Sequence, residues 1–127
     1  MKVDFFSDRK LEVLDVNFGV DHTLVLCFDS DHNRNRLFGC GTTRRGQLGF
    51  IQKEPVYEFR EVKMPNDEEV VNMATGAFHS LFLTKSNKLF GCGCNNNYQL
   101  GDIEQSVLNS KISTKFIVEV KLGNLNE

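Results

Sequence analysis

The amino-acid sequence predicts an all-β fold in which one four-stranded unit occurs twice, and two observations support this prediction. The pentapeptide LFGCG occurs at Leu37–Gly41 and again at Leu89–Gly93. Around both copies, short apolar runs are separated by Asp, Ser and Asn, which is typical of β-strands joined by tight turns. An ordered pattern that occurs twice in 127 residues indicates an internal structural repeat.

Composition is that of a single globular domain. Hydrophobic residues make up 40% of the chain and charged residues 25%. The net charge of −2 argues against direct binding to nucleic acid or to an anionic membrane, and the sequence has no apolar run of 18 residues. The first ten residues become charged within four positions, unlike a secretory signal peptide. We therefore expect an intracellular protein, cytoplasmic or nuclear, with free thiols.

The two units align through repeated glycines and one histidine. The aligned pairs are Gly19 with Gly76, His22 with His79, Gly39 with Gly91, Gly41 with Gly93, and Gly49 with Gly101. The histidines are 57 positions apart and the later glycines 52, so the first unit has five extra residues, within Asp29–Arg36. This alignment predicts repeat units at approximately 12–63 and 69–122, with 1–8 as the end of a preceding unit.

Each unit is predicted to form four strands. They are EVLDVNF, HTLVLCF, RLFGCG and VYEFREV in the first unit, and EVVNMAT, HSLFLT, KLFGCG and KFIVEVKL in the second. The second and third strands form a hairpin, and the second is apolar at consecutive positions, which predicts burial on both faces. In the last strand Val118 and Val120 alternate with Ile117 and Glu119, which suits a half-exposed outer strand. Antiparallel four-stranded units of this kind indicate blades of a β-propeller. Residues 102–111 are the one arguable helix.

The segments MATGAFHSLFL, LFGCG…YQLG and LFGCG…GQLG resemble the regulator of chromosome condensation repeat family. The resemblance covers about two repeats, and it implies about two blades of a seven-bladed ring. Cys40 and Cys92 stand where this family usually has Trp, and Tyr98 replaces the first Gly of Gly-Gln-Leu-Gly. Because two blades would leave two apolar faces open, we expect the chain to be a fragment of a larger propeller, or to complete its core with other copies or other chains.

The glycine-flanked cysteines have two interpretations, as metal or redox ligands and as equivalent positions of a repeat. Zinc needs four ligands within about 2.0–2.3 Å of one ion, whereas equivalent positions of adjacent blades are spread around a ring. Cys92 and Cys94 are separated by one residue, and no second cysteine stands at that spacing from Cys40. We therefore interpret Cys27, Cys40 and Cys92 as small buried hydrophobes and predict no metal site.

The repeated histidines and glycines are predicted to be structural. His22 and His79 stand at strand starts, where a ring can fix the turn through hydrogen bonds to the backbone. The glycines permit close approach or a positive φ. GCGTTRRG is followed by neither Lys-Ser nor Lys-Thr, so it is no phosphate loop, and we predict no cofactor. We see no Ser-His-Asp or Cys-His set at motif spacing, so we predict that the protein is not an enzyme.

Two functions fit the resemblance. The first is a non-enzymatic protein-interaction scaffold, and the second is part of a guanine-nucleotide exchange factor for a Ran-type small GTPase, associated with chromatin. Expected partners are the remaining blades, other copies of the chain or a small GTPase. The insertion is the one candidate for a projecting element, with Asp29, Asp31, Arg34 and Arg36 as candidate contacts, although its composition fits an ordinary hairpin tip better. Arg44 and Arg45 follow the next strand and should form a separate loop rather than one nucleic-acid patch.

Overall fold

The computed structural model describes residues 4–94 and 113–120 and confirms the all-β prediction. Two four-stranded antiparallel sheets follow each other along the chain, each with its strands in chain order. Sheet 1 consists of β1 (Leu11–Phe18), β2 (His22–Asp29), β3 (Arg34–Gly41) and β4 (Val56–Glu61). Sheet 2 consists of β5 (Val70–Thr75), β6 (His79–Thr84), β7 (Leu89–Cys94) and β8 (Ser113–Glu119). A short helix, α1 (Asp4–Asp8), precedes sheet 1, and a 3₁₀ turn (Pro65–Asp67) joins the sheets.

The main core lies between the two sheets. Leu24 and Leu26 of β2 belong to the same buried cluster as Phe82 and Phe90 of β6 and β7. Burial on both faces is confirmed for β2, in which four consecutive residues are buried. In β6, buried and partly buried residues alternate, and Phe82 lies on the buried side. The difference arises because sheet 1 is covered on both of its faces, by sheet 2 on one and by α1 on the other.

Helix α1 covers part of the face of sheet 1 that points away from sheet 2. Phe5 and Phe6 pack against Phe38 of β3, with ring centroids 5.5 and 5.7 Å apart. The expectation that two blades leave both outer faces open is therefore wrong for this part of sheet 1, because two adjacent phenylalanines occupy it. The assignment of residues 1–8 to a preceding unit stays a prediction, although residues 4–8 form a helix and not a strand.

The five-residue insertion lengthens the first hairpin. Strands β2 and β3 have eight residues each, whereas β6 and β7 have six. Both hairpins are closed by four residues, 30–33 and 85–88, and each connection contains an asparagine with positive φ, 51° at Asn33 and 66° at Asn87. The insertion thus lengthens the paired strands of the hairpin, which agrees with the expected hairpin tip and not with a projecting element.

Strand β8 is more buried than its sequence pattern predicts. Ile117, expected beside Glu119 on the exposed side, is 9% exposed and belongs to the core cluster between the sheets. A Cβ on Gly49, in the connection between β3 and β4, would lie 2.8 Å from Ile117 Cγ1, so the two segments touch. The arguable helix at 102–111, together with Tyr98 and Gly101, lies outside the described residues. Among the residues described, no helix has the length and apolar character to cross a membrane.

Candidate functional site

The inserted part of the first hairpin lines a cleft at the end of the interface between the sheets. The cleft has a volume of about 300 Å³. Asp29, Arg34 and Arg36 of the hairpin line it together with Glu61 at the end of β4 and Asp67 of the connection. Three of the four candidate contact residues therefore come together here, and Asp31 lies in the adjoining turn, where it is exposed.

Arg36 holds two carboxylates at one side of the cleft. Its Nε and Nη2 donate to the two carboxylate oxygens of Glu61 at 3.0 and 2.9 Å, a bidentate arrangement. Its Nη1 donates to Oδ2 of Asp29 at 3.2 Å, and Nδ1 of His32 lies 2.8 Å from the same oxygen. Asp29 is 3% exposed. Asp29 is therefore held inside the hairpin by these hydrogen bonds, and its role as a partner contact stays a prediction.

Arg34 and Asn35 tie the hairpin to the start of sheet 2. Nη1 of Arg34 donates to Oδ2 of Asp67 at 3.0 Å. The backbone N–H of Asn35 donates to Glu69, and its side-chain amide donates to the carbonyl of Val70, both at 3.0 Å. The inserted residues thus join the first hairpin to the start of sheet 2 at this end. The role of Asp31, Arg34 and Arg36 as partner contacts also stays a prediction.

This network predicts that the protein loses stability in acid. The pKa of Glu61 lies below its ordinary value because Arg36 hydrogen-bonds to the carboxylate, and this outweighs the opposite effect of burial. Burial acts to raise the pKa of Asp29, but the hydrogen bonds from His32 and Arg36 lower it overall. Carboxylates with lowered pKa stabilise the fold above the pKa of the unfolded chain, about 4, and this contribution is lost as pH falls further.

We expect Glu61→Gln to flatten the decline of the unfolding free energy between about pH 5 and 3, since one of the titrating groups is gone. Urea unfolding at a series of pH values measures this slope. Glu58→Gln is the matched control, because Glu58 is exposed on the same strand. An unchanged slope in Glu61→Gln would show that the bidentate pair does not form in solution.

A buried hydrogen-bond network crosses the interface near the other end of the sheets. Nε2 of His22 lies 3.0 Å from Oγ of Ser80, and that hydroxyl donates to the carbonyl of Gln47 at 2.7 Å. The thiol of Cys92 donates to the same carbonyl at 3.2 Å. His22 and Gln47 belong to the first repeat, whereas Ser80 and Cys92 are paired residues of sheet 2. The four groups therefore lock the two sheets together.

The direction of these hydrogen bonds defines the chemistry of the network. A serine hydroxyl has one proton, and that proton goes to Gln47, so Nε2 of His22 must be the donor to Ser80. Burial lowers the pKa of His22, which keeps the ring neutral near pH 7. A histidine that donates to a serine cannot act as its base, and Ser80 is 0% exposed. The network is structural.

The turn before β2 is closed by the backbone. The N–H of Gly19 donates to the carbonyl of His22 at 2.8 Å, and the N–H of Gly76 donates to the carbonyl of His79 at 3.0 Å. The prediction that the histidine ring fixes its own turn is therefore wrong for His22, because the ring bonds across the interface. A Cβ at Gly19 would lie 2.1 Å from the imidazole of His22, and a Cβ at Gly76 2.0 Å from that of His79.

We expect Ser80→Ala to lower the free energy of unfolding by about 1–3 kcal/mol, because it leaves Nε2 of His22 without a partner and removes one of the two donors to the Gln47 carbonyl. In a double-mutant cycle with His22→Phe, the double variant should lose less stability than the sum of the two single variants. Either substitution alone already removes the hydrogen bond between these side chains. His32→Phe, in the exposed turn at the opposite end of sheet 1, is the control and should be additive. Additive costs for His22 and Ser80 would show that they do not interact.

The repeated glycines occupy equivalent environments in the two sheets. Gly41 and Gly93 have φ of +104° and +106°, and a Cβ on either would lie 2.4 Å from a backbone carbonyl oxygen. Gly39 faces Leu48, Gly49 faces Ile117, and Gly91 is buried in β7. Their roles at the repeat positions remain proposals, and Gly101 falls outside the described part of the chain.

The three cysteines whose side chains are described are buried free thiols. Burial raises the pKa of Cys92 to about 12 and that of Cys27 to about 11, and it also raises the pKa of Cys40. A thiol that stays protonated is a poor nucleophile and a poor metal ligand. Across residues 4–94 and 113–120, no three His, Cys, Asp or Glu side chains are grouped so that they could hold a metal ion.

Comparison with known families decides the identity of the repeat. The models of the regulator of chromosome condensation (RCC1) repeat match residues 34–83 and 70–99, which together run from β3 through β7 and include the second hairpin. The chain belongs to the RCC1 repeat family. Its repeats are those of β-propeller modules that serve in interaction or regulation.

Relatives of this family have different overall functions. The chain is 32% identical over 87 residues to the human probable E3 ubiquitin-protein ligase HERC6, covering 68% of this chain and 8% of that protein. It is 32% identical over 97 residues to the mouse RCC1-like G exchanging factor-like protein, covering 73% of this chain and 20% of that protein. The chain thus spans a small part of either relative.

A solved RCC1 structure shows the same fold. Prp20p of Saccharomyces cerevisiae superposes with a TM-score of 0.66 at 20% identity, covering 90% of this chain and 27% of Prp20p. The structure of Prp20p was reported together with its binding properties to Gsp1p and histones. At this identity the likeness establishes the propeller fold.

Two RCC1-repeat residues of the interface network were not singled out by the sequence analysis. Ser80 directly follows the repeated His79, and Gln47 is the glutamine of the family pattern Gly-Gln-Leu-Gly. The repeat itself is the signal that could have found them. A hydroxyl residue follows both repeated histidines, a glutamine occurs in both GQLG and YQLG, and a buried polar side chain needs a partner. Arg45 lies at this end of the sheets, with its guanidinium 4.5 Å from the centroid of Phe78, whereas Arg34 lies at the opposite end. The two arginine pairs therefore form no single patch.

Proposed function

We propose that this RCC1-repeat chain is a non-enzymatic protein-interaction module. The observation that carries the proposal is the exposure of large apolar side chains on an otherwise well-packed fold. Phe18, Val20 and Tyr57 are 69%, 69% and 76% exposed. Exposed apolar side chains on a rigid sheet provide contact area at little cost in conformational entropy. The histidine, serine and thiol groups of the interface network, by contrast, are used inside the fold.

The second candidate is part of a guanine-nucleotide exchange factor for a Ran-type GTPase. It is supported by the similarity to the RCC1-like G exchanging factor-like protein and by the binding of Gsp1p described for Prp20p. Exchange requires an element that enters the nucleotide site of the GTPase. The inserted hairpin is held against the second sheet by Arg34 and Asn35, which favours the scaffold function over exchange.

Binding and nucleotide release must be measured together to separate these functions. The probes are a Ran-type GTPase loaded with a fluorescent nucleotide and purified histones, because Prp20p is described with both classes. We expect the chain to bind at least one probe while nucleotide release stays at its intrinsic rate. Accelerated nucleotide release would establish the exchange function. If the chain binds neither the GTPase nor the histones, the interaction module and the exchange factor are both contradicted for these two partners.

Tyr57→Ser is the first variant for this binding assay, with Glu58→Ser as its matched control. Both residues are exposed on β4 and, as neighbours in a strand, they point to opposite sides of the sheet. We expect Tyr57→Ser to weaken binding and Glu58→Ser to leave it unchanged. Equal binding by both variants would exclude this side of β4 as the contact.

The proposed setting is the cytoplasm or nucleus, with protein partners and without direct binding to nucleic acid or membrane.

A further inference from the structure

An apolar row on sheet 1 is exposed although it belongs to a sheet face that is otherwise covered. Val13, Val16 and Phe18 of β1 are 45%, 40% and 69% exposed. Val13 pairs with Cys27 and Val16 pairs with Val25 across the strands, and directly paired residues lie on the same side of a sheet. Helix α1 covers Val25 and Cys27 on that side. The row is the part of this face that α1 does not reach.

The corresponding row of sheet 2 is an interface. The offset of 57 positions between the repeated histidines places Val70 and Met73 at the positions of Val13 and Val16. Val70 and Met73 are 3% and 7% exposed and belong to the core cluster between the sheets. Sheet 2 thus packs Val70 and Met73 against sheet 1, and sheet 1 carries exposed counterparts of both in Val13 and Val16. Phe18 corresponds to the partly buried Thr75 and extends the row by one larger apolar side chain.

The surface that receives this row is also repeated. Leu24 and Leu26 of β2 are 0% and 2% exposed in the cluster between the sheets. The same offset places Leu81 and Leu83 of β6 at their positions, and these two leucines are partly buried. The chain therefore carries a second set of both halves of the interface by which its own sheets pack.

We propose that the apolar row of Val13, Val16 and Phe18 docks onto the Leu81 and Leu83 face of a second copy of this chain. The contact joins two different surfaces, so copies associate head to tail. It reproduces the packing of sheet 2 on sheet 1, which is the reason a second copy fits better than an unrelated protein. Because α1 occupies the outer part of the face, the contact is smaller than the internal one. The proposal rests on the chain acting as an interaction module and names one of its partners.

Sedimentation velocity across a concentration series tests the proposal with the full chain. We expect the wild-type protein to shift from its 14.5 kDa monomer to larger species as concentration rises. Phe18→Asp and Leu81→Asp should each weaken self-association at least about tenfold, since each removes one half of the contact. An equimolar mixture of these variants should form dimers and nothing larger, because one intact junction remains.

Val20→Asp is the matched control, because Val20 is as exposed as Phe18 but follows the strand. It should associate like the wild type. Far-UV circular dichroism checks that each variant is folded, and Leu81→Ala replaces Leu81→Asp if the latter is not. Self-association of Leu81→Asp alone would show that the row pairs with itself and would overturn the head-to-tail contact. A concentration-independent wild-type monomer that binds the GTPase or histones would overturn self-association and leave the proposed function intact.

Discussion

Phe82→Ala is expected to lower the free energy of unfolding by about 3–5 kcal/mol, as deletion of a fully buried aromatic side chain does. Phe82 is 0% exposed and is paired with Met73 on one side and Phe90 on the other. These three residues share one buried cluster with Leu24 and Leu26 of the first sheet. The substitution therefore opens a cavity in the interface that holds the two sheets together.

Urea unfolding followed by circular dichroism measures this loss. Tyr57→Ala is the matched control, because it truncates an aromatic residue that is 76% exposed, and it should change stability by no more than about 0.5 kcal/mol. Domains of this size have a total stability of about 5–15 kcal/mol, so Phe82→Leu provides a milder variant that should lose about 1 kcal/mol. A loss below about 1 kcal/mol in Phe82→Ala would contradict the described packing of the sheets.

Gly41→Ala is expected to cost about 2–4 kcal/mol, because it combines backbone strain with a collision between backbone and side chain. Gly41 has φ of +104°, a conformation that residues with a Cβ rarely adopt. Its Cβ would lie 2.4 Å from the carbonyl oxygen of Asp21 and 2.8 Å from Cα of His22. Backbone atoms in a paired strand cannot move aside without breaking hydrogen bonds, so the collision is not relieved locally.

Gly39→Ala, two residues earlier in the same strand, is the comparison. Its Cβ would meet a methyl group of Leu48 at 2.7 Å and one of Leu24 at 3.2 Å, and side chains can adjust more easily than backbone. We expect a smaller loss, about 1–2 kcal/mol, by thermal or urea unfolding. Equal losses at the two positions would mean that the positive φ of Gly41 is not maintained in solution. Gly93→Ala should behave like Gly41→Ala, since its geometry is the same within a few tenths of an ångström.

The repeat made much of the fold predictable from sequence. Matching glycines at Gly41 and Gly93 aligned the units, and apolar runs separated by turn residues located the strands. These signals are local, because a turn needs particular residues within a few positions and a buried strand needs consecutive apolar side chains. The hairpins and the order of the strands follow from them, and the family match confirms the repeat.

The five-residue insertion shows where local signals are insufficient. Its polar composition predicts a surface loop, yet Arg34 and Asn35 bond to the connection and to the second sheet, 33 to 35 positions away. Asp29 is buried because Arg36 forms an ion pair with it and His32 hydrogen-bonds to the same carboxylate. Charged residues are expected at the surface unless they are paired, and the pairing depends on how two sheets meet.

The sequence by itself determined the repeat, the strand order and the buried character of β2, because each depends on residues close together in the chain. The tertiary structure alone decided that His22 bonds to Ser80, that Ile117 is buried against Gly49, and that α1 covers the outer face of sheet 1. Each of these contacts joins residues from different sheets or elements. Their partners are set by the relative placement of the sheets, which the packing of large side chains such as Phe82 fixes and which no local pattern encodes.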